Sequence, residues 1–410
     1  MGEHDSPERI AVVGGSLAGL RAAEQLRAAG HGGPITVYGE ESHLPYNRPP
    51  LSKEVLADPE RDSADSMFER LAFRRRSSTA DVDFRLGARV DSADLAAGTL
   101  TLADGSVETY AGLVAASGLR PRVLRTEGPT AGRHWLRTID DCLNLKRSLG
   151  DPRDVVVIGA GFIGCETACT LHKLGHRVTI VEPTGAPMNR VLGVELAAAV
   201  QDYHTRQGIS FVIGPGVAGF TGDERVTGVT LDTGQTLPAD LVVESVGSLC
   251  NTEWLGGNAS LDLTDGVLVD NDLAIVGAER AVAVGDIARF PNPLFDEVPR
   301  RVEHWNIPTD TAKRAAATLV AQLTGTPHAL APFAPVPAFW SDQFDLRFQS
   351  YGSPGLADTV EVVEGDLGDL TSGLLTRYTR AGRLVGSVAL NLSGARQRDL
   401  RNEFVAMAPA

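Results

Sequence analysis

Two stretches of the chain share one pattern of apolar and polar positions. In DVVVIGAGFIGCETACTLHKLGHRVTIVE (residues 154–182), an apolar run at 155–158 precedes a glycine-rich turn, a helical pattern to 174 and a second apolar run. Short, wholly apolar runs predict strands that are buried on both faces, and Gly175 predicts the end of the helix. Residues 9–40 repeat this order around an alanine-rich helix at 17–29. The pattern therefore predicts two strand–turn–helix–strand units in an α/β protein.

The turn of the second unit has the spacing GxGxxG, at Gly159, Gly161 and Gly164. The first glycine permits a tight turn, the second lets a pyrophosphate approach the backbone, and the third lets helix and strand pack closely. The helix N-terminus then faces the phosphates, and Glu182, about 20 residues after the turn, can accept from a ribose hydroxyl. A glycine-rich turn without a ligand is the alternative, but the full order of strand, turn, helix, strand and acid favours a dinucleotide site.

The first unit has the same kind of turn, GGSLAG, with one substitution. Gly14 and Gly19 hold the outer positions, Ser16 replaces the middle glycine, and Glu40 is the terminal acid. Because serine is small and can donate a hydrogen bond, we interpret this turn as a variant that still binds a nucleotide. Two such sites in one chain indicate a flavoprotein reductase, which needs FAD and NAD(P)H, whereas a simple dehydrogenase needs one nucleotide.

Local patterns predict the other elements. Pro49 and Pro50 hold the chain extended ahead of a helix from Leu51, with Ser52 and Lys53 in its first turn; a lysine there is commonly solvated. Residues 58–76 are predicted to be a solvated, charged face. The remaining predictions are strands and a hairpin at 81–110, strands at 113–118, 209–213, 241–246 and 281–284, a hairpin at 226–235, helices at 192–207 and 309–323, a proline-rich linker at 327–337, and a small α+β domain from 339.

Composition narrows the class of protein. A chain of 410 residues predicts two or three domains, and a net charge of −14 argues against nucleic acid or an anionic membrane as the main partner. The N-terminus has no apolar signal segment, and no run is long enough to span a membrane, so we expect a cytoplasmic protein. Cys142, Cys165, Cys169 and Cys250 lack CxxC and zinc spacing, which predicts small buried residues without disulfides or a metal site.

Eight motifs carry a resemblance that covers nearly the whole chain. They are GGSLAG (14–19), LPYNRPPLSK (44–53), AASGLRPR (115–122), GAGFIGCE (159–166), AVGDIARF (283–290), EHW (303–305), FWSDQFDLRFQSYG (339–352) and GRLVGSVALN (382–391). Together they resemble the oxygenase-coupled, NADH-dependent ferredoxin reductases, which are putidaredoxin-reductase-like FAD proteins. LPYNRPPLSK and FWSDQ are the most specific, and the CxxC of thioredoxin reductase is absent.

The resemblance implies an α/β fold with two Rossmann-like dinucleotide-binding domains and a C-terminal α+β domain. The implied FAD-binding domain comprises residues 1–112 and 244–325, the NADH-binding domain residues 113–243, and the C-terminal domain residues 326–410. This chain departs from the family pattern at Ser16, at Ser117 where a threonine is usual, and at Leu249-Cys250-Asn251, where a proline before the asparagine is usual. The first two departures touch the implied FAD site but keep small residues.

The resemblance also assigns roles. Lys53 and Glu166 would form a catalytic ion pair near flavin N5, with Glu166 also binding the nicotinamide carboxamide. For Glu166 the alternative is an acid that favours a helix N-terminus, for Asp286 a plain N-cap, and for Trp305 and Trp340 core packing. The implied cofactor-binding residues are Gly14, Ser16, Ala18, Gly19, Glu40, Arg48, Lys53, Ser117, Gly118, Arg120, Gly159, Gly161, Phe162, Ile163, Gly164, Glu166, Glu182, Gly247, Gly285, Asp286, His304, Trp305 and Trp340.

The activity that the resemblance implies is electron transfer from NADH through FAD to an iron–sulfur ferredoxin, which supplies a cytochrome P450 or a ring-hydroxylating oxygenase. Glu182, with no arginine at 183–189, favours NADH over NADPH. Alternatives are an NADH oxidase, a rubredoxin reductase or a nitrite reductase component of the same fold, and a flavin redox sensor like apoptosis-inducing factor. We expect a monomer or weak homodimer. Candidate docking residues for the ferredoxin are Lys313, Arg314, Arg396, Arg398 and Arg401.

Overall fold

The computed structural model describes residues 8–326 and 330–408. The predicted linker at 327–337 lies partly, at 327–329, outside these residues, and so do residues 1–7 of the N-terminus for which no signal segment was predicted. Of the helices in the two described ranges, none combines the length and the apolar character needed to cross a membrane. Cys142, Cys165 and Cys169 are buried, as predicted, whereas Cys250 is only partly buried.

The described residues form helices and strands that we number in chain order. The helices are α1 (Leu17–Ala28), α2 (Glu54–Ala57), α3 (Ala64–Leu71), α4 (Ile139–Ser148), α5 (Phe162–Lys173), α6 (Asn189–Leu192), α7 (Val194–Arg206), α8 (Ile307–Thr324) and α9 (Gly394–Ala406). The strands are β1 (Ile10–Val13), β2 (Ile35–Tyr38), β3 (Asp83–Arg85), β4 (Val90–Asp94), β5 (Thr99–Leu102), β6 (Val107–Thr109), β7 (Gly112–Ala115), β8 (Leu119–Pro121), β9 (Arg133–His134), β10 (Asp154–Ile158), β11 (Arg177–Glu182), β12 (Ser210–Ile213), β13 (Val217–Thr221), β14 (Gly228–Leu231), β15 (Thr236–Pro238), β16 (Leu241–Glu244), β17 (Ser248–Cys250), β18 (Val267–Leu268), β19 (Ala281–Ala283), β20 (Ala288–Asn292), β21 (Asp296–Arg301), β22 (Ala338–Gln343), β23 (Leu346–Gly352), β24 (Thr359–Glu364), β25 (Leu374–Arg380) and β26 (Arg383–Leu390).

The first unit is a parallel sheet with the order β19-β7-β1-β2-β3. Strands β1 and β2 are buried along their whole length, as their apolar runs predict, and α1 packs against this sheet and against α8. Strand β7 continues to Ala115 and pairs Val114 with Val12. The sheet therefore crosses the predicted domain boundary at 112/113, because a buried strand cannot be divided between two domains.

The second unit is also parallel, with the order β12-β11-β10-β16-β9. The glycine-rich turn joins β10 to α5, and α5 then packs against β11. Antiparallel strands β8 and β17 form a two-stranded link where the chain passes into and out of this unit. The carboxyl ends of β10 and β11 therefore carry the turn and Glu182, as the motif predicts.

The C-terminal domain is an antiparallel sheet with the order β22-β23-β26-β25-β24. One face of this sheet, which includes Phe348 and Tyr378, joins the hydrophobic core of the second unit. The other face is covered by α9 through Leu400 and Phe404. The C-terminal domain is thus the predicted α+β domain, and its position against the second unit brings β22 to the functional site.

Three local predictions differ from the structure. Helices α3 and α4 form within stretches for which no helix was predicted, and each begins with a capping box, at Ser63 and Thr138. The helix predicted at 192–207 is interrupted at Gly193, which has a φ of +77°. Pro49 and Pro50 are not extended but begin a 3-10 helix that ends at Ser52, and Lys53 separates that helix from α2 and is not in a first α-helical turn.

Candidate functional site

The first glycine turn joins β1 to α1. Gly14 has a φ of +127°, and a Cβ there would lie 2.1 Å from the carbonyl oxygen of Ala116, so only glycine fits. Ser16 is the N-cap residue of α1, but its side chain makes no capping hydrogen bond and lines the main cavity. The free backbone N–H groups at the start of α1 and the serine hydroxyl together suit a phosphate group.

The second turn repeats this geometry at the start of α5. Gly159 has a φ of +100°, and a Cβ there would lie 2.3 Å from the carbonyl oxygen of Ser245. Gly161 differs, because a Cβ at this position would meet nothing within 4 Å. Within the chain itself a side chain would therefore fit, and the glycine leaves open space in front of α5, where a pyrophosphate approaches the backbone in such turns.

A cavity of about 730 Å³ is lined by both units and by the C-terminal domain. The predicted site residues that line it are Ser16, Ala18, Arg48, Lys53, Gly118, Phe162, Ile163, Glu166, Asp286, His304, Trp305 and Trp340. A volume of this size can hold a large organic cofactor. The structure thus brings about half of the predicted residues, from widely separated segments, to one place.

The most tightly organised group in this cavity is centred on Glu166. Lys53 Nζ lies 2.6 Å from Glu166 Oε2, and the two side chains are only 14% and 6% exposed. Ser52 Oγ donates to Oε2 at 2.7 Å, and Ser341 Oγ donates to Oε1 at 2.6 Å. A buried carboxylate is costly unless it is paired and hydrogen-bonded, and these donors satisfy both oxygens. The predicted pair is present, the solvated alternative for Lys53 is wrong, and Ser52 and Ser341 were not predicted.

Asp286 meets an arginine that sequence analysis missed. Asp286 follows β19 in a 3-10 helix, and Arg137 Nη2 lies 3.5 Å from its Oδ2. Burial raises the pKa of Asp286, and the guanidinium of Arg137 opposes that rise. Arg48 donates to the carbonyl oxygen of Arg137 at 2.6 Å and pairs with Glu41 at 2.5 Å. No motif marks Arg137, which simply precedes the N-cap of α4, so only the tertiary structure identifies it.

His304 and two tryptophans form another part of the cavity wall. Burial lowers the pKa of His304 to about 4, so its ring is neutral at neutral pH. Its Nδ1 atom is buried and has no hydrogen-bond partner among the described residues, which leaves it available to a ligand. Trp305 and Trp340 meet edge to face at 5.3 Å and are 41% and 37% exposed. Core packing is therefore the wrong interpretation for the tryptophans, which stand where the cavity reaches solvent.

A second cavity of about 200 Å³ adjoins the second turn. The predicted residues Arg120, Gly161, Ile163 and Gly247 line it. Glu182 lies at the end of β11, where its Oε2 accepts from the backbone N–H of Ala160 at 2.8 Å. Its Oε1 accepts from the backbone N–H of Thr184 at 2.9 Å and from the hydroxyl of Thr184 at 2.6 Å. Hydrogen bonds within the chain thus hold the Glu182 carboxylate at the second turn.

Several predicted residues serve the framework of the chain. The hydroxyl of Ser117 donates to the carbonyl oxygen of Asn251 at 2.5 Å. Arg120 pairs with Glu253 at 2.5 Å. A Cβ at Gly285 would lie 2.9 Å from the Cβ of Ala18, so this glycine lets β19 and α1 approach. Gly19 and Gly164 play the same part within their turns, and Glu40 is exposed at the end of β2. Direct contact of these residues with a cofactor stays a prediction.

The arrangement fits two dinucleotides. Each turn offers free N–H groups at a helix start, each has an acid after the following strand, and one cavity with unpartnered polar atoms joins them. Residues 8–312 match the profile of the family described as pyridine nucleotide-disulphide oxidoreductase. The chain belongs to this family. Residues 338–402 match a second profile, the reductase C-terminal domain.

Several ferredoxin reductases are similar to this chain over nearly its whole length. The chain is 36% identical over 391 residues to the ferredoxin reductase component of chlorobenzene dioxygenase from Cupriavidus sp. (strain PS12), a match that covers 93% of this chain and 89% of that protein. The crystal structure of the ferredoxin reductase for the CYP199A2 system from Rhodopseudomonas palustris matches with a TM-score of 0.84 and 34% identity, covering 94% of this chain and 91% of that one. The covalent putidaredoxin reductase–putidaredoxin complex matches with a TM-score of 0.85 and 28% identity, covering 98% and 94%.

These matches confirm the predicted fold class and the resemblance on which the assignments rest. The chain is an oxidoreductase of a family whose cofactors are FAD and NAD(H). The predicted domain limit at 243/244 also divides a buried strand, β16, and is contradicted like the limit at 112/113. The assignment of each cofactor to a turn, the residue contacts and the other domain limits stay predictions.

Proposed function

We propose that the protein is an FAD-dependent ferredoxin reductase, which takes electrons from NADH and passes them to a small iron–sulfur ferredoxin of a cytochrome P450 or ring-hydroxylating oxygenase system. The observation that carries the proposal is the buried Lys53–Glu166 pair at 2.6 Å, because it stands where walls from both nucleotide units and the C-terminal domain meet. The relatives named after a dioxygenase, the CYP199A2 system and a bound putidaredoxin support the choice of partner.

In this proposal the first turn, with Ser16, Arg137 and Asp286, holds FAD, and the second turn holds NADH. Bound FAD supplies the exchange between a two-electron donor and a one-electron acceptor. Lys53 and Glu166 hold the nicotinamide in register with the flavin, and correct alignment is the main contribution that a protein makes to such a transfer.

We assign coenzyme choice to Glu182. Its carboxylate is fixed at the second turn by Ala160 and Thr184, so it presents a negative charge where the ribose lies in such sites. A ribose 2′-hydroxyl can donate to this group, whereas a 2′-phosphate is repelled. NADH is therefore the expected donor.

The ferredoxin docks, in our proposal, beside Trp305 and Trp340. Asn306, which follows Trp305, donates to Asp310 at 2.7 Å. The charges of Lys313 and Arg401 oppose the rise that burial causes in the pKa of Asp310, so these two cations are our candidates for the docking surface. Two candidates from the sequence are less suitable, because Arg314 is nearly buried against Asp272 and Arg396 pairs with Glu364. Local positive charge is needed because the protein as a whole is acidic and ferredoxins generally are as well.

The docking proposal is tested by charge reversal. Lys313→Glu and Arg401→Glu are each expected to raise the KM for ferredoxin roughly threefold to tenfold, more at low salt, without changing ferricyanide reduction by NADH. Arg206→Glu is the matched control, since Arg206 is exposed in the last turn of α7 in the second unit. An unchanged KM in both variants would remove this surface from the proposal.

The function itself is tested with purified protein and NADH. Stopped-flow measurement of FAD reduction with NADH and NADPH, followed by cytochrome c reduction with and without candidate ferredoxins, separates the steps. We expect fast reduction by NADH, a kcat/KM for NADPH at least about tenfold lower, and cytochrome c reduction that depends on ferredoxin. Oxygen consumption with NADH alone at the same rate would favour an oxidase, and slow turnover would favour a redox sensor.

A further inference from the structure

Glu166 receives one of its hydrogen bonds from the C-terminal domain. Ser341 lies on β22, and its hydroxyl donates to Glu166 Oε1 at 2.6 Å. The other oxygen, Oε2, is bound by Ser52 and Lys53 from the first unit. The carboxylate of the second unit is thus held from two sides, and the Ser341 donor at Oε1 acts together with the donors at Oε2 to fix the rotation of the carboxylate about its last bond.

The direction of the Ser341 hydroxyl is set by its neighbour. Gln343 Nε2 donates to Ser341 Oγ at 3.0 Å and to Met188 Sδ at 3.4 Å. Because the amide nitrogen can only donate, Ser341 Oγ accepts from Gln343, and its single proton points at Glu166. Met188 itself donates through its backbone N–H to the carbonyl oxygen of Ala160 at 2.9 Å, so the amide of Gln343 is anchored to the second turn.

Packing alone does not account for these two polar side chains. Ser341 and Gln343 are fully buried, and Gln343 Oε1 has no hydrogen-bond partner in the part of the chain that the structure describes. A buried acceptor without a partner costs free energy that an apolar side chain of similar size avoids. Their neighbours on the same face of the sheet, Leu346 and Phe348, are apolar core residues. Ser341 therefore serves the carboxylate that it contacts, and Gln343 orients Ser341.

We propose that Ser341 and Gln343 are positioning residues, which hold the Glu166 carboxylate at the orientation needed to accept from the nicotinamide carboxamide. This inference rests on the function proposed above, because it concerns the nicotinamide that Glu166 would bind. It gives the C-terminal domain a part in nicotinamide recognition, in addition to covering the cavity. Gln343 acts through Ser341, and Ser341 acts through Glu166.

The test compares the binding of two ligands to the FAD-loaded protein. NAD⁺ carries the carboxamide, whereas 3-acetylpyridine adenine dinucleotide has no amide N–H, so the ratio of their dissociation constants by calorimetry reports the Glu166 contact. A hydrogen bond to a charged acceptor corresponds to roughly a tenfold or larger preference for NAD⁺. We expect Ser341→Ala to reduce this preference to about threefold or less, and Gln343→Met to give an intermediate value, because the freed hydroxyl can still donate part of the time.

Tyr378→Phe is the matched control. Tyr378 is buried on the same face of the sheet, and its hydroxyl donates to the Leu192 carbonyl oxygen at 2.8 Å across the same interface, outside the Glu166 network. It is expected to keep the wild-type preference. The inference is overturned if Ser341→Ala keeps the full preference, or if all three variants lose it equally, which would indicate a loosened interface. A wild-type protein that shows no preference, while FAD is still reduced by NADH, would remove the carboxamide role of Glu166 and this inference, but not the reductase function.

Discussion

The two glycine turns show how the same backbone can serve two different surroundings. Gly14 and Gly159 both have positive φ angles, +127° and +100°, and a Cβ at either would lie within 2.3 Å of a backbone oxygen. Gly19 and Gly164 close the turns alike, since a Cβ there would lie 1.9 Å and 2.2 Å from the carbonyl oxygen of the first glycine. These four positions are therefore dictated by the chain itself, whatever ligand is bound.

The turns differ at the positions whose residue type depends on the bound ligand and not on the packing of the chain. The middle residue is Ser16 in one and Gly161 in the other, and neither contributes a side-chain cap to its helix. The terminal acids differ as well: Glu182 is held by its own turn, whereas Glu40 is exposed. The packing of the chain therefore determines the outer glycines, whereas the bound ligand determines the middle residue and the terminal acid.

The largest expected effect comes from the outer glycines. Gly14→Ala and Gly159→Ala each combine a disallowed φ with a steric overlap, so each is expected to lower the free energy of unfolding by roughly 2–5 kcal/mol. Gly14→Ala should also yield protein without bound FAD, whereas Gly159→Ala should keep FAD and lose NADH binding. Thermal unfolding, the flavin absorbance of the purified protein and NADH titration measure these effects. Loss of FAD in both variants would show that the two units do not act separately.

The features that the sequence could predict are those that depend on a single local stretch of the chain. The turns, their strands and their acids are local, so a contiguous stretch specifies them and the structure agrees. Arg137 and Ser341 could not be predicted, because Arg137 meets Asp286 across 149 residues and Ser341 meets Glu166 across 175. Lys53 was predicted only through the resemblance, since a lysine between two short helices gives no local reason to be buried. Contacts between distant segments depend on how the domains pack, which no spacing rule encodes.

The next largest effect is expected from substitution of Lys53, which forms an ion pair with Glu166 between the two units. Lys53→Ala removes the cation that the first unit offers to Glu166 of the second, so the alignment of the two cofactors is expected to loosen. FAD reduction by NADH in stopped flow should slow by about 100-fold, while the FAD content changes little. The unfolding temperature should fall, because the buried Glu166 carboxylate loses its cation. Glu166→Gln, which keeps the size of the side chain and one of its two accepting oxygens, should slow it less. An unchanged reduction rate in Lys53→Ala would exclude a role in the transfer.

Acid should destabilise the protein in part through His204, which is buried in the second unit. Burial lowers its pKa from 6.5 to about 4, so the unfolded chain binds a proton at a pH where the folded chain does not. Stability is therefore lost as the pH falls from about 6.5 towards 4, by roughly 2 kcal/mol at pH 5 from this residue, and no more below that range.

His204→Leu tests this loss, since it should flatten the dependence of the unfolding temperature on pH between 6.5 and 4. Phe211→Leu is the control, because it removes the ring that stacks on His204 at 6.3 Å and keeps the imidazole. The control should be less stable at every pH with the wild-type slope. Equal slopes in wild type and His204→Leu would contradict the assignment.

The smallest effect on stability is expected at the middle position of the second turn, and this position gives the most direct test of the difference between the two turns. Gly161 has a φ of −72° and a ψ of −179°, which any residue can adopt, and a Cβ there would meet nothing within 4 Å. Gly161→Ser, which copies Ser16, should therefore change the free energy of unfolding by less than about 0.5 kcal/mol. NADH should nevertheless bind more weakly, because the added hydroxymethyl group occupies space that the pyrophosphate needs. Gly159→Ser, two residues away, should lose both stability and affinity. If Gly161→Ser binds NADH as the wild type does, the second turn tolerates serine as the first does, and the middle residue no longer distinguishes the two ligands.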